Sequence, residues 1–426
     1  MVSLDYIAIT HYPLMTMIET LQINTQRLQS SLEELAKIGQ KGDRSICRLA
    51  FSDEDLQARA LVRQWMEEAG MRVRVDSAGN LRGTYPGKQP HLPVLATGSH
   101  LDTVVSGGKF DGALGVLAGL EVVRVLNDHQ QHLNHPLEVI VLTDEESTMI
   151  GCKAISGRAS LNPEDYQTKV NLSIINALAK VGGNWHTLAE AKQSRQDIAA
   201  FLELHVEQGA VLEQLGKQIG IVQGIVGQQR YIVTVKGRAN HAGTTPMGMR
   251  KDALTAAARI VLGVEHLAES APGDPVATVG TLQVFPNAPN IIPSLVKMTV
   301  DIRDLNQQSL DGLVADLTTQ LEQISTATGT QITIEPLLNV QATLASAKIQ
   351  QQIASVCQDL GLSHLSLPSR ASHDAQELGR CTDMGMIFVP SQGGISHSGE
   401  EYTGDRDCLQ GARVLLHTLL KLDQEY

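Results

Sequence analysis

Val94-Leu-Ala-Thr-Gly-Ser-His-Leu-Asp-Thr103 begins as an apolar run, passes through Gly98 and ends on a histidine and an aspartate. The run Val94 to Thr97, set between His91-Leu92-Pro93 and Gly98, is too short for a helix. It reads as a strand buried on both faces. The same design recurs along the chain. Leu137 to Thr143 is a second buried strand and ends in Asp144-Glu145-Glu146. Ala199 to Leu204 is a third and ends in His205. Between and before them lie helical stretches: Asn24 to Leu35, Ala58 to Ala69 ending at Gly70, and the mostly apolar Leu114 to Leu126. Buried strands alternating with helices predict an α/β layer on a mainly parallel sheet.

Near Gly224 the rhythm changes. Tyr231 to Val235 alternates like a half-exposed strand, and Asp252 to Leu267 reads as a helix. Strands at Val276 to Val284 and Val296 to Arg303, a helix at Ser309 to Ile324 and a strand at Gln331 to Glu335 follow. That order is the split β-α-β-β-α-β plan of a ferredoxin-like sandwich. The first rhythm then resumes, with helices at Ala347 to Leu360 and Asp407 to Leu422 around a strand at Gly385 to Val389. The expected organisation is one catalytic domain in two segments, 1–222 and 337–426. A lid or dimerisation domain at 223–336 interrupts it.

Composition narrows the function. At 426 residues, with roughly 150 residues per domain, more than one domain is expected. Hydrophobic residues at 42% and charged residues at 19% describe a globular chain, with no apolar run of membrane-spanning length. The net charge is −12 and aromatics are only 3%, which disfavours nucleic acid and anionic membranes as partners. The five cysteines, Cys47, Cys152, Cys357, Cys381 and Cys408, are scattered and never spaced C-x-x-C. They fit a reducing cytoplasm rather than a disulfide framework. Met1 to Thr20 lacks the basic start and cleavage site of a secretory signal. With Met15 and Met17 just before the first helix, the first fourteen or so residues read as a mis-called start.

Four clusters of metal-type side chains each follow a buried strand. They are Gly98-Ser-His-Leu-Asp-Thr103 with Asp111-Gly112, Thr143-Asp-Glu-Glu146, Leu204-His-Val-Glu-Gln-Gly209, and Gly394-Ile-Ser-His-Ser398. Ligands of open α/β sheets gather at the carboxyl ends of the strands, so the four clusters can converge. Histidines with carboxylates suit one or two divalent ions, zinc first. A lone histidine is more often structural. His11, His91, His129, His132, His135 and His417 are read that way, on solvated faces, a loop and the terminal helix.

In combination, Gly98-Ser-His-Leu-Asp-Thr-Val104, Gly107-Gly-Lys-Phe-Asp-Gly112, Leu204-His-Val-Glu-Gln-Gly209, Asn240-His-Ala-Gly243 and Gly394-Ile-Ser-His-Ser398 resemble the hydantoinase/carbamoylase family of amidases. That family belongs to the aminoacylase/carboxypeptidase-type dinuclear zinc hydrolases. The resemblance runs from about Arg27 to Leu420. It implies a homodimer with two divalent ions per subunit, zinc or else manganese, cobalt or nickel. His100 and His205 resemble the terminal ligands of one ion, Asp111 the bridging carboxylate, and Glu146 and His397 the ligands of the other. Asp102 resembles the carboxylate that accepts the imidazole N–H of His100, and Glu145 the general base. His241 resembles a histidine that stabilises the oxyanion in the partner subunit's site. Asn290 and Arg303 resemble binders of the substrate carboxylate, and Gln208 a contact to its ureido or amide group. For Arg303 the competing reading is a strand-end salt bridge with Asp301 or Asp304.

The implied reaction is cleavage of the ureido C–N bond of an N-carbamoyl-L-amino acid to amino acid, CO2 and ammonia. Allantoate amidohydrolase is the same-fold alternative. A metal-dependent aminoacylase or dipeptidase fits less well, because those relatives usually carry a carboxylate where His205 stands. A metal-free binding protein would not need the complete set of six acid and histidine side chains. Two departures from the family pattern border the expected pocket. Glu146 runs at once into Ser147-Thr-Met-Ile-Gly151, and Ser369-Arg-Ala-Ser-His-Asp374 places Arg370 where glycine is usual.

Overall fold

A computed structural model describes residues 21–426, in two compact units. The expectation about the first fourteen residues, and His11 with it, lies outside the described residues.

The larger unit comprises the described chain up to Gly224 together with Ala345–Tyr426. Its strands are β1 (Arg72–Val75), β2 (Leu81–Tyr85), β3 (Val94–His100), β4 (Leu137–Leu142), β5 (Ile198–Val206) and β6 (Ile219–Ile225), then β11 (His364–Ser369) and β12 (Asp383–Val389). β7 to β10 belong to the smaller unit. The order across the larger sheet is β1-β2-β4-β3-β5-β12-β6, with β11 also on β6. β3, β4, β5 and β12 run parallel to one another, and β2 and β6 add antiparallel neighbours. The sheet is thus mainly parallel, as the buried strands required. β5 is buried at every position and β4 likewise, so they read as mostly apolar runs, interrupted by Glu138 in β4 and by Glu203 and His205 in β5.

Helices α1 (Thr25–Ala36), α2 (Asp53–Glu68), α3 (Ala113–Asp128) and α4 (Ile150–Ser156) precede the smaller unit. α2 begins five residues before the expected Ala58. The Ser52 hydroxyl caps it by accepting the Asp55 N–H, and Asp53, Glu54 and Asp55 fill its first turn. α3 is buried around almost its whole circumference, with Leu114, Val116, Leu117, Leu120, Val122 and Val123 inaccessible. At roughly 1.5–3 kcal/mol per buried aliphatic side chain, this helix anchors the core.

The β1–β2 hairpin was not expected. Its strands carry Arg72, Arg74 and Arg82, which mask the strand pattern. Arg82 is nevertheless buried, with its guanidinium on the Glu138 carboxylate of β4. Two of the histidines read as structural, His135 and His417, are also buried. His135 sets Nδ1 2.6 Å from the Pro93 carbonyl, and its own N–H donates to Asp423. His417 lies inside the terminal helix, where burial and then Arg413 and Lys421 lower its pKa to about 4.

The smaller unit is Ile225–Leu344. Strands β7 (Gly227–Lys236), β8 (Val276–Phe285), β9 (Leu295–Asp304) and β10 (Gln331–Val340) alternate with helices α5 (Ala253–Ser270) and α6 (Gln307–Thr328). The antiparallel order β10-β7-β9-β8 is that of a ferredoxin-like sandwich. Val233, Val235, Val296, Met298, Val300 and Ile302 point from the sheet onto Ala256, Ile260, Leu313 and Leu317 of the helices. The expected boundary at 336/337 falls inside β10, which continues past Pro336 through an irregularity in its register with β7.

Three helices complete the larger unit: α7 (Ala347–Asp359), α8 (Asp374–Leu378) and α9 (Asp405–Leu422). No helix among the described residues is long and apolar enough to cross a membrane.

Candidate metal centre

Parallel pairing aligns the carboxyl ends of the strands. His100, the last residue of β3, is level with Leu142 of β4, and His205 of β5 is level with Phe388 of β12. Asp144-Glu145-Glu146 follows β4 directly. Asp144 adopts a left-handed φ of 59°, its carbonyl accepts the Met149 N–H, and its carboxylate accepts from Thr148. The short connection to Gly151 is therefore a closed turn leading straight into α4. Asn80 fastens it, accepting the Thr143 N–H and donating to the Gly151 carbonyl.

Asp111 sits in the loop before α3. Its Oδ1 lies 3.3 Å from His205 Nε2 and 3.5 Å from His100 Nε2, and its Oδ2 lies 3.5 Å from His397 Nε2. His397 Nε2 is in turn 3.6 Å from Glu146 Oε1. Among the described residues, His100–Asp111–His205 and Asp111–Glu146–His397 each place their donor atoms within 4.8 Å of one another. Asp111 belongs to both sets. These separations exceed the usual ~2.7–3.2 Å of an N–H···O hydrogen bond. Ligands about 2.0–2.2 Å from one tetrahedral ion stand roughly 3.3–3.6 Å apart, which is the spacing found.

The imidazoles are oriented for the same task. His100 Nδ1 is 2.9 Å from the Asp102 carbonyl, and His205 Nδ1 is 2.9 Å from the Val206 carbonyl. A carbonyl can only accept, so each Nδ1 carries the proton and each Nε2 presents its lone pair. The Gly112 N–H donates to His205 Nε2 at 3.2 Å, consistent with an unprotonated nitrogen there. Gly112 itself has φ 66°, and a Cβ would stand 2.5 Å from the His100 ring.

Asp102 departs from its expected role. Its carboxylate Oδ1 is 3.9 Å from His100 Nδ1, and it is the main-chain carbonyl of Asp102 that receives the imidazole. Asp102 Oδ2 accepts the Glu146 N–H at 3.1 Å instead, tying the end of β3 to the glutamate turn. Asp102 Oδ1 is buried with no hydrogen-bond partner.

Buried negative charge accumulates here. Burial raises the Glu145 carboxyl well above the usual range, and it raises Glu146 to about 7. To stay ionised at neutral pH, carboxylates this dry need compensating cations. The donor set, its spacing and its charge all fit divalent metal ions.

Sequence reasoning gave no role to four further groups. His373 stands edge-on to His205 with centroids 4.5 Å apart, and its Nε2 is 2.9 Å from Ser369 Oγ. Glu203 also lies beside His205, but its two oxygens accept from Ser99 Oγ and the Ala375 N–H. These two hydrogen bonds hold the Glu203 carboxylate in place beside His205 and His373. Ser396 donates to Asp111 Oδ2 at 3.0 Å, and Glu401 accepts main-chain N–H groups beside Asp111. Gln208, expected at the substrate, donates to Asp111 Oδ2 at 2.7 Å and leaves Oε1 buried without a partner.

His241, Asn290 and Arg303 belong to the smaller unit. His241 is exposed, and its Nδ1 accepts the N–H groups of Gly243 and Thr244. Asn290 lies on the adjoining loop, where its carbonyl accepts the Ala242 N–H and the next residue bridges to His241. Arg303 donates from Nε to Asp301 at 2.8 Å, and Arg230 bonds the same carboxylate. The strand-neighbour ion pair weighed against substrate binding is therefore formed.

A histidine–carboxylate cluster at the carboxyl ends of a parallel sheet fits the metal-dependent class of enzyme. The profile of Peptidase family M20/M25/M40 matches residues 96–421. The chain is 40% identical to an N-carbamoyl-L-amino acid amidohydrolase of Geobacillus stearothermophilus, over 94% of this chain and 99% of that one. It is 35% identical to an allantoate amidohydrolase of Bacillus subtilis, over 92% and 96%. A crystal structure of an amidase of the hydantoinase/carbamoylase family from Burkholderia multivorans superposes with TM-score 0.89 at 35% identity, covering 94% and 98%. The chain belongs to Peptidase family M20/M25/M40, and within it to the hydantoinase/carbamoylase amidases. It is a hydrolase.

Proposed function

We propose that this enzyme cleaves the ureido C–N bond of N-carbamoyl-L-amino acids, consuming one water and releasing the amino acid, CO2 and ammonia. The observation that carries the chemistry is the Asp111 carboxylate, whose two oxygens face two different histidine sets. The substrate is supported by the full-length similarity to the Geobacillus enzyme. The Bacillus enzyme, similar over nearly the same span, keeps allantoate as the second reading.

His100, His205 and Asp111 would hold one ion, and Asp111, Glu146 and His397 the other, with zinc the first choice. Ions held there would supply Lewis-acid polarisation of the substrate carbonyl and a lowered pKa for water. Glu145, walled in beside His100 with Oε2 3.7 Å from Nε2, accepts the proton of the attacking water and returns it to the leaving nitrogen. Asn290 and Arg303 hold the substrate carboxylate, with Asp301 orienting the guanidinium through Nε. Gln208 reads the ureido group from beside Asp111. The five cysteines, all free thiols, suit a cytoplasmic enzyme.

The smaller unit is assigned to dimerisation, with His241 serving the partner's site as the oxyanion donor. A complementation experiment tests this. Glu145→Ala and His241→Ala homodimers are each expected to be inactive. After subunit exchange, half the dimers are mixed, and each mixed dimer has one intact site of two. Ammonia release should recover to about one quarter of wild type. No recovery, with exchange demonstrated by mass-tagged chains, would place His241 in its own subunit's site or outside catalysis.

A further inference from the structure

Glu401 lies 290 residues from Asp111 in sequence, yet its buried carboxylate is built into the Asp111 loop. Its Oε1 accepts the Phe110 N–H at 2.9 Å and the Asp111 N–H at 3.0 Å. Its Oε2 is 3.3 Å from Ser396 Oγ, which also donates to Asp111 Oδ2. One carboxylate thus joins the loop that carries Asp111 to the loop that carries His397. Successive main-chain N–H groups converging on one oxygen form an anion nest. Gly108 makes room for it: a Cβ there would stand 2.2 Å from both Glu401 Cδ and Oε1. Glu401 also lines a cavity of about 620 Å³ shared with Glu33, Lys37, Arg44, Lys109 and Glu400.

We propose that Glu401 is a positioning residue: by filling the Gly108–Asp111 nest it fixes the main chain of Asp111, and through Ser396 its carboxylate. The structural part stands alone, and the consequence for metal binding rests on the metal-centre reading above. Buried N–H groups that lose their acceptor keep the full cost of desolvation, so the loop must open or rearrange when Glu401 is removed. Loss of a group that orients a ligand typically weakens metal binding about 10–100-fold.

The test uses the full chain, and its first readout needs no metal. Hydrogen exchange of the segment Gly107–Ala113 is measured in metal-free wild type, Glu401→Ala and Glu401→Gln. Glu401→Ala should exchange the Phe110 and Asp111 amides at least about tenfold faster, and added formate should slow them again by entering the vacated nest. Glu401→Gln should stay near wild type, because its amide oxygen still accepts. Zinc affinity by chelator competition should fall about 10–100-fold in Glu401→Ala, recover in part with formate, and change little in Glu401→Gln. Unchanged exchange in folded Glu401→Ala, or exchange that formate does not slow, overturns the nest. Loss of zinc from Glu401→Gln to the same degree as from Glu401→Ala overturns the positioning role, because it makes the charge itself the ligand. Should Glu401→Ala not fold, Gly108→Ala displaces the same carboxylate, and wild-type exchange in that variant is equally contrary. If wild type takes up no metal, the metal-centre reading fails while the exchange data still decide the role of Glu401.

Discussion

Glu145→Gln should keep its metal and lose roughly 10²–10⁴-fold in kcat. The substitution preserves shape and volume in a turn that the Asp144 carbonyl, Thr148 and Asn80 hold closed, so the fold has no reason to change. Glu145 belongs with His100 and Glu146 in the cluster, but neither of the two sets centred on Asp111 includes it. Removing its charge therefore leaves those five side chains intact. What is lost is the proton carrier, since an amide cannot take a proton from water and hand it to a leaving nitrogen. Elemental analysis and steady-state ammonia release on the same preparation check both halves. Near-wild-type kcat would assign the base to another residue, and loss of metal would make Glu145 a ligand.

Asp111→Ala should fail in the opposite way, with metal lost first and activity as a consequence. Its Oδ1 faces His100 and His205 while its Oδ2 faces His397, so a single truncation removes a ligand from both sets. The expected loss of affinity exceeds the roughly 10–100-fold typical of groups that merely orient a ligand. It also leaves the part-buried Glu146 and the exposed His397 without their shared neighbour. Inductively coupled plasma analysis after dialysis would show fewer than one ion per chain. Two retained ions per chain would reject the shared carboxylate.

The contrast between these variants shows which parts of the site could be read from the sequence. His100, His205 and the glutamate pair each end a buried apolar run, and a parallel sheet must gather such ends on one edge. That logic needs only periodicity and strand direction. It extends to the smaller unit, where alternation in β7 and β9 marks the face that packs on α5 and α6. It fails where a residue works through main chain. Glu401 meets two N–H groups that any sequence would supply, and the only trace is Gly108, whose missing side chain is its seat. The Asp102 pattern was legible, but the sequence could not show that its carbonyl, rather than its carboxylate, meets His100. Local charge misled elsewhere. The arginines of the β1–β2 hairpin hid two strands because the carboxylate that buries Arg82 lies 56 residues away on β4. Arg303, by contrast, pairs with Asp301 two positions along the same strand face, a spacing visible in the sequence itself.

The central claim is that a metal pair centred on Asp111 drives hydrolysis of a ureido C–N bond. Its most direct test is ammonia release by chelator-stripped enzyme, titrated with zinc, manganese or cobalt, on N-carbamoyl-L-amino acids and on allantoate. Stripped enzyme should be inactive, activity should rise until two equivalents are bound per chain, and N-carbamoyl-L-amino acids should be preferred to allantoate. Preference for allantoate would move the enzyme to its second reading. Full activity without metal, or two bound ions with no ammonia from any ureido substrate, would contradict the account.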